Sequence, residues 1–243
     1  MILALETATN ACSAALCAAD GSVVAETVSL EGPAHTQRLL PGVHGVLERA
    51  AASWSDVGTV AVGLGPGAFT GLRIGVATAR ALAQADGRVR LAGVPTPAAL
   101  ALALARAPEA AAQRPLVPLI DGKRREVFAA VYAADEAGGG VHVVEPVTVV
   151  PADELAAWLA RLGDVLVGGD GAMLYRDLLP ATARVAHGVP APTAAMVGRA
   201  VARGAPGLVF GADAVLPLYG RASDAARWIG GSAARPASSG GGS

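Results

Sequence analysis

The sequence predicts an α/β protein made of two similar lobes. Three observations carry that expectation: strand-like apolar runs arrive in threes before a helical segment, the same order returns in the second half, and a glycine-rich turn leads from a buried strand into a helix. The chain has 243 residues, 53% of them hydrophobic and 16% charged. That is enough apolar matter for a large core and excludes a mainly disordered protein.

The first run, Ile2-Leu3-Ala4-Leu5, reads as a buried strand ended by the polar Glu6-Thr7-Ala8-Thr9-Asn10. A second strand covers Cys12 to Ala18, and a third covers Val23 to Leu30. Between them Asp20-Gly21 supplies a turn, since glycine accepts the positive φ of a tight hairpin. Glu31-Gly32-Pro33 breaks the third strand. An amphipathic helix follows from His35 to Ala52, with Pro41 bending it or lying near its start. Next come a strand from Thr59 to Leu64, the glycine-rich turn, and a helix from Gly71 to Ala85. This β-β-β-α-β-α order is that of a ribonuclease-H-like fold, in which an antiparallel meander passes into a parallel crossover.

In the second half, strands are expected at Leu116 to Ile120, Glu126 to Ala133 and Val141 to Val149, with the turn Asp135-Glu136-Ala137-Gly138-Gly139-Gly140 closing the second hairpin. A helix at Asp153 to Leu162, a strand at Val165 to Val167 and a helix at Met173 to Leu179 complete the repeat, which rests on element order alone. Two such lobes in tandem describe the actin-like ATPase (ASKHA) architecture, here with a reduced second lobe. The expected organisation is a first lobe over 1–106 and a smaller second lobe over 107–210, which includes a helix from Thr193 to Arg203. A segment over 211–229 then returns to the first lobe, carrying a short helix or strand from Leu216 to Trp228. The Gly/Ser-rich 230–243 forms a flexible tail.

Lys+Arg 19 against Asp+Glu 20 gives a net charge of −1, and Lys123 is the sole lysine. No global basic field exists to hold nucleic acid, so any RNA connection runs through a local patch or a partner protein. Aromatic residues at 4% leave little for base-stacking platforms. No stretch approaches the roughly 20 apolar residues of a membrane span. The longest run, Ala98 to Ala105, is bounded by Pro97 and Arg106. Glu6 interrupts the first apolar run, unlike a secretion signal, so a soluble, cytoplasmic protein is expected. Cys12 and Cys17 share one strand, on opposite faces and about 16 Å apart at ~3.3 Å per residue. They are too distant for a disulfide and read as small buried thiols.

The strongest local signal is Gly65-Pro66-Gly67-Ala68-Phe69-Thr70-Gly71-Leu72-Arg73-Ile74-Gly75. Gly65 and Gly67 permit a sharp turn and close approach, Thr70 stands where a helix N-cap would, and with Arg73 nearby the helix start can hold an anion. The spacing is neither the dinucleotide G-x-G-x-x-G nor a Walker loop. An anion loop and a plain tight turn packed by Phe69 are therefore both open. In the second half Val167-Gly168-Gly169-Asp170-Gly171-Ala172 is a turn whose Gly169 and Gly171 could approach a nucleotide. Glu6-Thr7-Ala8-Thr9 and Asp121-Gly122-Lys123 occupy the places where an actin-like fold sets groups for Mg²⁺ and phosphates. Glu6 has no glycine in the four residues after it, which argues against a phosphate in the first lobe.

Together these residues resemble a known family. The match comprises Ile2 to Thr9, His35-Thr36-Gln37-Arg38-Leu39-Leu40-Pro41, the Gly65–Gly75 loop, Asp121 with Arg125-Glu126-Val127, and Tyr219-Gly220-Arg221 before Asp224-Ala225. The chain resembles, from Met1 to about Trp228, the TsaB (YeaZ, glycoprotease-like) family of bacterial tRNA threonylcarbamoyladenosine biosynthesis proteins. The resemblance implies a two-lobed scaffold and activator without transferase chemistry of its own. It pairs with the catalytic homologue TsaD, and TsaE joins the complex, which attaches threonylcarbamoyl to N6 of an adenosine beside certain tRNA anticodons. The tRNA would be met indirectly through that complex. No intrinsic cofactor is expected, and ATP or ADP is expected only at the TsaD/TsaE complex interface. The alternative is a stand-alone ATP-dependent transferase or kinase of the actin-like superfamily.

A catalytic member would carry a metal-gripping His-x-x-x-His pair on the helix after the third strand. Here His35 is followed at that spacing by Leu39, and His44 lies on the opposite side of the helix. No metal and no catalytic residue is expected, and His35 reads as a polar contact at the helix start. The scattered His35, His44, His142 and His187 and the lack of a G-x-S-x-G elbow reject a peptidase.

The expected pairing surface lies on the two long helices. Gly71, Gly75, Ala79 and Ala83 form a smooth stripe beside Leu72 and Val76, and His35, Leu39, Leu40, Val43 and Leu47 line the preceding helix. Packing on the chain's own sheet and a bundle with TsaD or a second copy are the two readings of this pattern. On the second, Gly75→Leu leaves the monomer folded and abolishes pairing. Arg73, Lys123, Arg124 and Arg125 read as a solvated face.

Overall fold

Alternation along each central strand sends side chains to two faces, and in this chain both faces of both sheets are covered. The structure, a computed structural model, describes residues 1–30, 34–111, 113–135 and 139–220. Outside the described residues lie Glu31-Gly32-Pro33, the Glu136-Ala137-Gly138 part of the hairpin turn, Arg221, Asp224-Ala225, the rest of the Leu216–Trp228 element and the 230–243 tail.

The first sheet has the order β11-β5-β4-β1-β2-β3. Its meander is β1 (Ile2–Glu6), β2 (Cys12–Cys17) and β3 (Val23–Ser29), antiparallel throughout. α1 (His35–Arg49) leads to β4 (Thr59–Gly63), which pairs parallel with β1. α2 (Phe69–Ala85) leads to β5 (Arg90–Val94), parallel to β4. After α3 (Thr96–Leu104) the second sheet repeats the plan with the order β10-β9-β6-β7-β8. Here β6 (Leu116–Lys123), β7 (Glu126–Ala134) and β8 (Val141–Pro151) form the meander. α4 (Leu155–Ala160), β9 (Val165–Gly168), α5 (Asp170–Leu174) and β10 (Ala183–Val185) complete it, with β9 parallel to β6. α6 (Ala194–Ala202) and β11 (Val209–Phe210) close the described chain. The second lobe is the reduced one: its α4 and α5 have 6 and 5 residues against 15 and 17 for α1 and α2.

Five layers result. α1 and α2 cover the outer face of the first sheet over Leu3, Leu5, Val60 and Val62. α4 and α5 cover the outer face of the second over Val117, Val127 and Val167. α3 and α6 fill the space between the sheets. The inner face of the first sheet carries Ala4, Ala15, Ala61 and Ala92, small enough for α6 to come very near. Gly198 is its point of closest approach, where a Cβ would lie 2.5 Å from Cys17 Sγ. Ser13 Oγ and Glu26 Oε1 accept hydrogen bonds from the Ala194 and Ala195 amides (2.8 and 2.9 Å), capping the start of α6 from the sheet below. Cys12 and Cys17 are free, buried and on opposite faces, as their odd separation requires.

Several expectations change. α3 packs on the second sheet and α6 on the first, and β11 joins β5 in the first sheet. The lobes thus exchange their last helices, and the chain changes sheets after β5 and again before α6. β5, α3, β10 and β11 are elements the sequence pattern did not announce. α1 ends at Arg49 with Pro41 inside it, and the expected Met173–Leu179 helix begins earlier, at Asp170. α2 starts at Phe69 with Ala68 at its N-cap position, so Thr70, exposed within the first turn, is not the cap. No helix among the described residues is long and apolar enough to cross a membrane.

Candidate functional site

Parallel strands end where their crossover connections begin, and ligand crevices of open α/β sheets lie beyond those carboxyl ends. Glu6 ends β1, Gly63 ends β4, Asp121 is near the end of β6, and Asp170 follows β9. By topology these strand ends lie toward the same interlobe cleft, and the Asp170 charge contributes to raising the Glu6 pKa.

Glu6 is fully buried. Its Oε1 accepts from the amides of Thr7 (2.8 Å) and Ala8 (2.7 Å), and its Oε2 accepts from Thr96 Oγ1 (3.0 Å). Thr96 Oγ1 in turn accepts from the Gly65 amide at 3.1 Å. Gly63 faces the carboxylate, and any Cβ there would overlap it. Burial outweighs these donors and pushes the Glu6 pKa up to about 7. Asp170 accepts from the Asp121 amide (3.2 Å), and burial pushes its pKa up to about 6. Asp121 is held by Lys123, whose Nζ lies 2.7 Å from Oδ2 and whose amide donates to Oδ1 at 2.8 Å. The cleft is thus acidic, with Lys123 as the cation bonded within it. Lys123, Arg124 and Arg125 are exposed and all take left-handed backbone angles in the β6–β7 turn; nothing in the structure explains that run.

Thr96→Val removes a bridge between Glu6 and the Gly65 amide and leaves both buried groups short of a partner. It should lower stability by about 2 kcal/mol, read from urea denaturation at pH 8. An unchanged midpoint would show that the bridge contributes nothing.

The residues of the suggested anion loop are used for packing. Gly65 is buried with φ +91, and Gly67 lies so close to Ala8 that a Cβ would overlap its carbonyl. The Ala68 amide donates to that same carbonyl at 2.6 Å. Arg73 lies 4.0 Å over the Phe69 ring and donates from Nε to Tyr219 Oη at 3.3 Å. Gly169 and Gly171 pack against the backbone at Leu119. The plain tight turn accounts for this geometry.

His35 opens α1 and is buried, with Nε2 2.9 Å from the Thr9 carbonyl. A carbonyl only accepts, so Nε2 carries the proton. Among the other residues expected to face a partner, Leu39, Val43, Gly71, Leu72, Gly75, Val76, Ala79 and Ala83 are also buried inside the chain, and Leu47 is half-buried. Leu40 is 54% exposed and faces outward. The correction has a simple cause. Gly71 and Gly75 lie against Thr7, whose hydroxyl donates to the Gly71 carbonyl at 2.9 Å, and a Cβ on either glycine would overlap Thr7. The stripe lets α2 lie on the end of β1. The outward side of α2 is instead Thr70, Arg73, Ala77 and Ala81, and on α1 Leu40, Pro41 and His44. The depth of Glu6 was signalled by a lone carboxylate ending an apolar strand; nothing in the pattern signalled Thr96.

A repeated three-strand meander with parallel crossovers and facing acidic strand ends defines a two-lobed, ribonuclease-H-like protein of the actin-like architecture. The family model of TsaD, tRNA N6-adenosine threonylcarbamoyltransferase, matches residues 16–151. An uncharacterized Pseudomonas aeruginosa protein with similarity to peptidase YeaZ superposes with a TM-score of 0.72 at 32% identity, covering 90% of this chain and 99% of that one. YeaZ from Pseudomonas aeruginosa gives 0.70 at 30% identity, with 90% and 98% covered. The tRNA threonylcarbamoyladenosine biosynthesis protein TsaB of Escherichia coli is 40% identical over 137 residues, 56% of this chain and 57% of that protein. The match thus spans little more than half of that curated relative. The chain belongs to the TsaB/YeaZ family.

Proposed function

We propose that the chain is a non-catalytic subunit of the assembly that attaches threonylcarbamoyl to N6 of an adenosine in tRNA, pairing with a TsaD-type transferase and with TsaE in the cytoplasm. His35 carries this reading. Where a catalytic relative would present two histidines one turn apart, the His35 ring is committed to the Thr9 carbonyl, and the residue one turn on is the buried Leu39. The names of the relatives support the pathway. The stand-alone kinase alternative is disfavoured by the glycine-rich turn, since Gly67 is packed on Ala8 and the Ala68 amide is taken by the Ala8 carbonyl, which commits that loop to the chain itself rather than to a phosphate. ATP or ADP is accordingly proposed only at the interface of the complex. The outward sides of α1 and α2 are proposed to seat TsaD, and a second copy of the chain would compete for the same surface. tRNA is reached through the complex.

The test is modification of transcribed tRNA by a TsaC-type synthase, TsaD and TsaE, with and without this protein. Product should require it, and Leu40→Glu should melt like the wild type yet fail to co-purify with TsaD. Equal product without the protein overturns the role. Unchanged co-purification of the variant overturns the surface.

A further inference from the structure

At the end of both sheets opposite Glu6 and Asp170 lies a cavity of about 420 Å³, a size suited to small molecules. Register places it there: the turn after Cys17 adjoins Ile2 at the start of β1, and the β7–β8 turn lies beyond Tyr132, which pairs with Leu116 at the start of β6. One wall is therefore the first lobe's hairpin, Asp20 to Val23, and the other is the second lobe's hairpin at Gly139 and Gly140. α3 and α6 form the floor, with Ala99, Leu102 and Met196 supplying apolar surface.

Three arginines line this cavity. Arg199 and Arg203 stand one helical turn apart at the end of α6, and Arg106 follows α3. Among the described residues none of the three is in an ion pair. Asp20 is the carboxylate among the described lining residues, and its Oδ1 already accepts from the Ser22 amide (2.9 Å) and hydroxyl (2.7 Å). The geometry is held from both sides. Gly21, at φ +85, is seated on α6 so closely that a Cβ would lie 3.0 Å from Ala202 Cβ and 3.3 Å from Arg199 Cα. Arg203 reaches across to the other lobe, its Nη1 4.0 Å from where a Cβ on Gly139 would stand.

We propose that this cavity binds an organic phosphate, its phosphate on Arg106, Arg199 and Arg203 and its apolar body on Leu102 and Met196. Among the described lining residues, three guanidinium groups stand against one carboxylate, Asp20, whose charge Arg203 also feels, which leaves an excess of positive charge that a phosphate dianion matches. The guanidinium fork pairs two phosphate oxygens at once. The ligand touches both hairpins, so its binding fastens one lobe to the other at the end away from the acidic cleft. The inference stands independently of the pairing surface on α1 and α2.

Calorimetric titration of the full chain with phenyl phosphate and, separately, inorganic phosphate tests it. Phenyl phosphate should bind at least tenfold more tightly than inorganic phosphate, and Arg199→Ala with Arg203→Ala should weaken it tenfold or more. Arg106→Glu, in the turn after α3, should do the same, and it decides the matter if the double variant does not fold. Absence of binding at millimolar phenyl phosphate, equal affinity for the two probes, or undiminished binding by the folded variants would each overturn the proposal.

Discussion

Gly75→Leu will destabilise the isolated chain by at least ~3 kcal/mol, seen as a large drop in its urea midpoint before any partner is added. Gly75 is buried on the side of α2 that meets β1. A Cβ there overlaps Thr7 Oγ1, and that hydroxyl has nowhere to go, because it donates to the Gly71 carbonyl. Thr7 is itself fixed, since its amide and that of Ala8 are bound to the Glu6 carboxylate. Leucine would have to lift α2 off the strand or break that cluster. Gly75→Ala places one methyl in the same space and should show the same defect at smaller size. A leucine variant that melts with the wild type and only loses a partner would return the stripe to the outer surface.

This outcome shows where the pattern of residues is ambiguous. Small residues every four positions say that a backbone comes close to that side of the helix. They do not say whose backbone. Here it is the chain's own β1, and the outward side of the two helices is carried by residues such as Leu40 and Ala77, which have no distinctive pattern of their own.

The repeated meander was legible because its strands are long and apolar and are separated by polar turns. β1, β2, β6 and β7 all overlap their expected spans. The missing elements fail for physical reasons. α3 is buried nearly all round between the sheets, so it lacks the polar stripe by which helices are recognised. β5 enters through Arg90 and has only 5 residues, while β10 and β11 have 3 and 2, too short for any period to declare itself. The exchange of α3 and α6 between lobes is a long-range event that no local signal records. The cleft was half legible: Glu6 and Asp121 stood out as acids at strand ends, whereas Asp170 was seen only as part of a glycine turn.

Stability should fall as pH rises from about 4.5 to 7, and Glu6 should be the main cause. Its folded pKa of about 7 lies above its ordinary value of 4.5 because burial disfavours the carboxylate. Between those values the folded chain binds a proton that the unfolded chain has released, so the unfolding free energy declines with pH. The contribution is fully present below pH 4.5 and lost above pH 7; the size of the shift corresponds to about 3 kcal/mol. Asp170, pushed up to about 6 chiefly by burial, is raised in the same sense and adds to the decline. Surface acids such as Asp86, held near 2 by Arg88, act in the opposite direction but at lower pH, so the window is separable. Glu6→Gln mimics the protonated form: its oxygen can still accept from Thr7 and Ala8, and its amide can donate to Thr96 Oγ1. Urea midpoints at pH 5, 6, 7 and 8 should decline for the wild type and run flatter for Glu6→Gln, with the variant the more stable protein at pH 8. Parallel profiles for the two would mean that Glu6 stays ionised in the folded chain, and the cleft would then have to supply a cation that the bonded Lys123 does not account for.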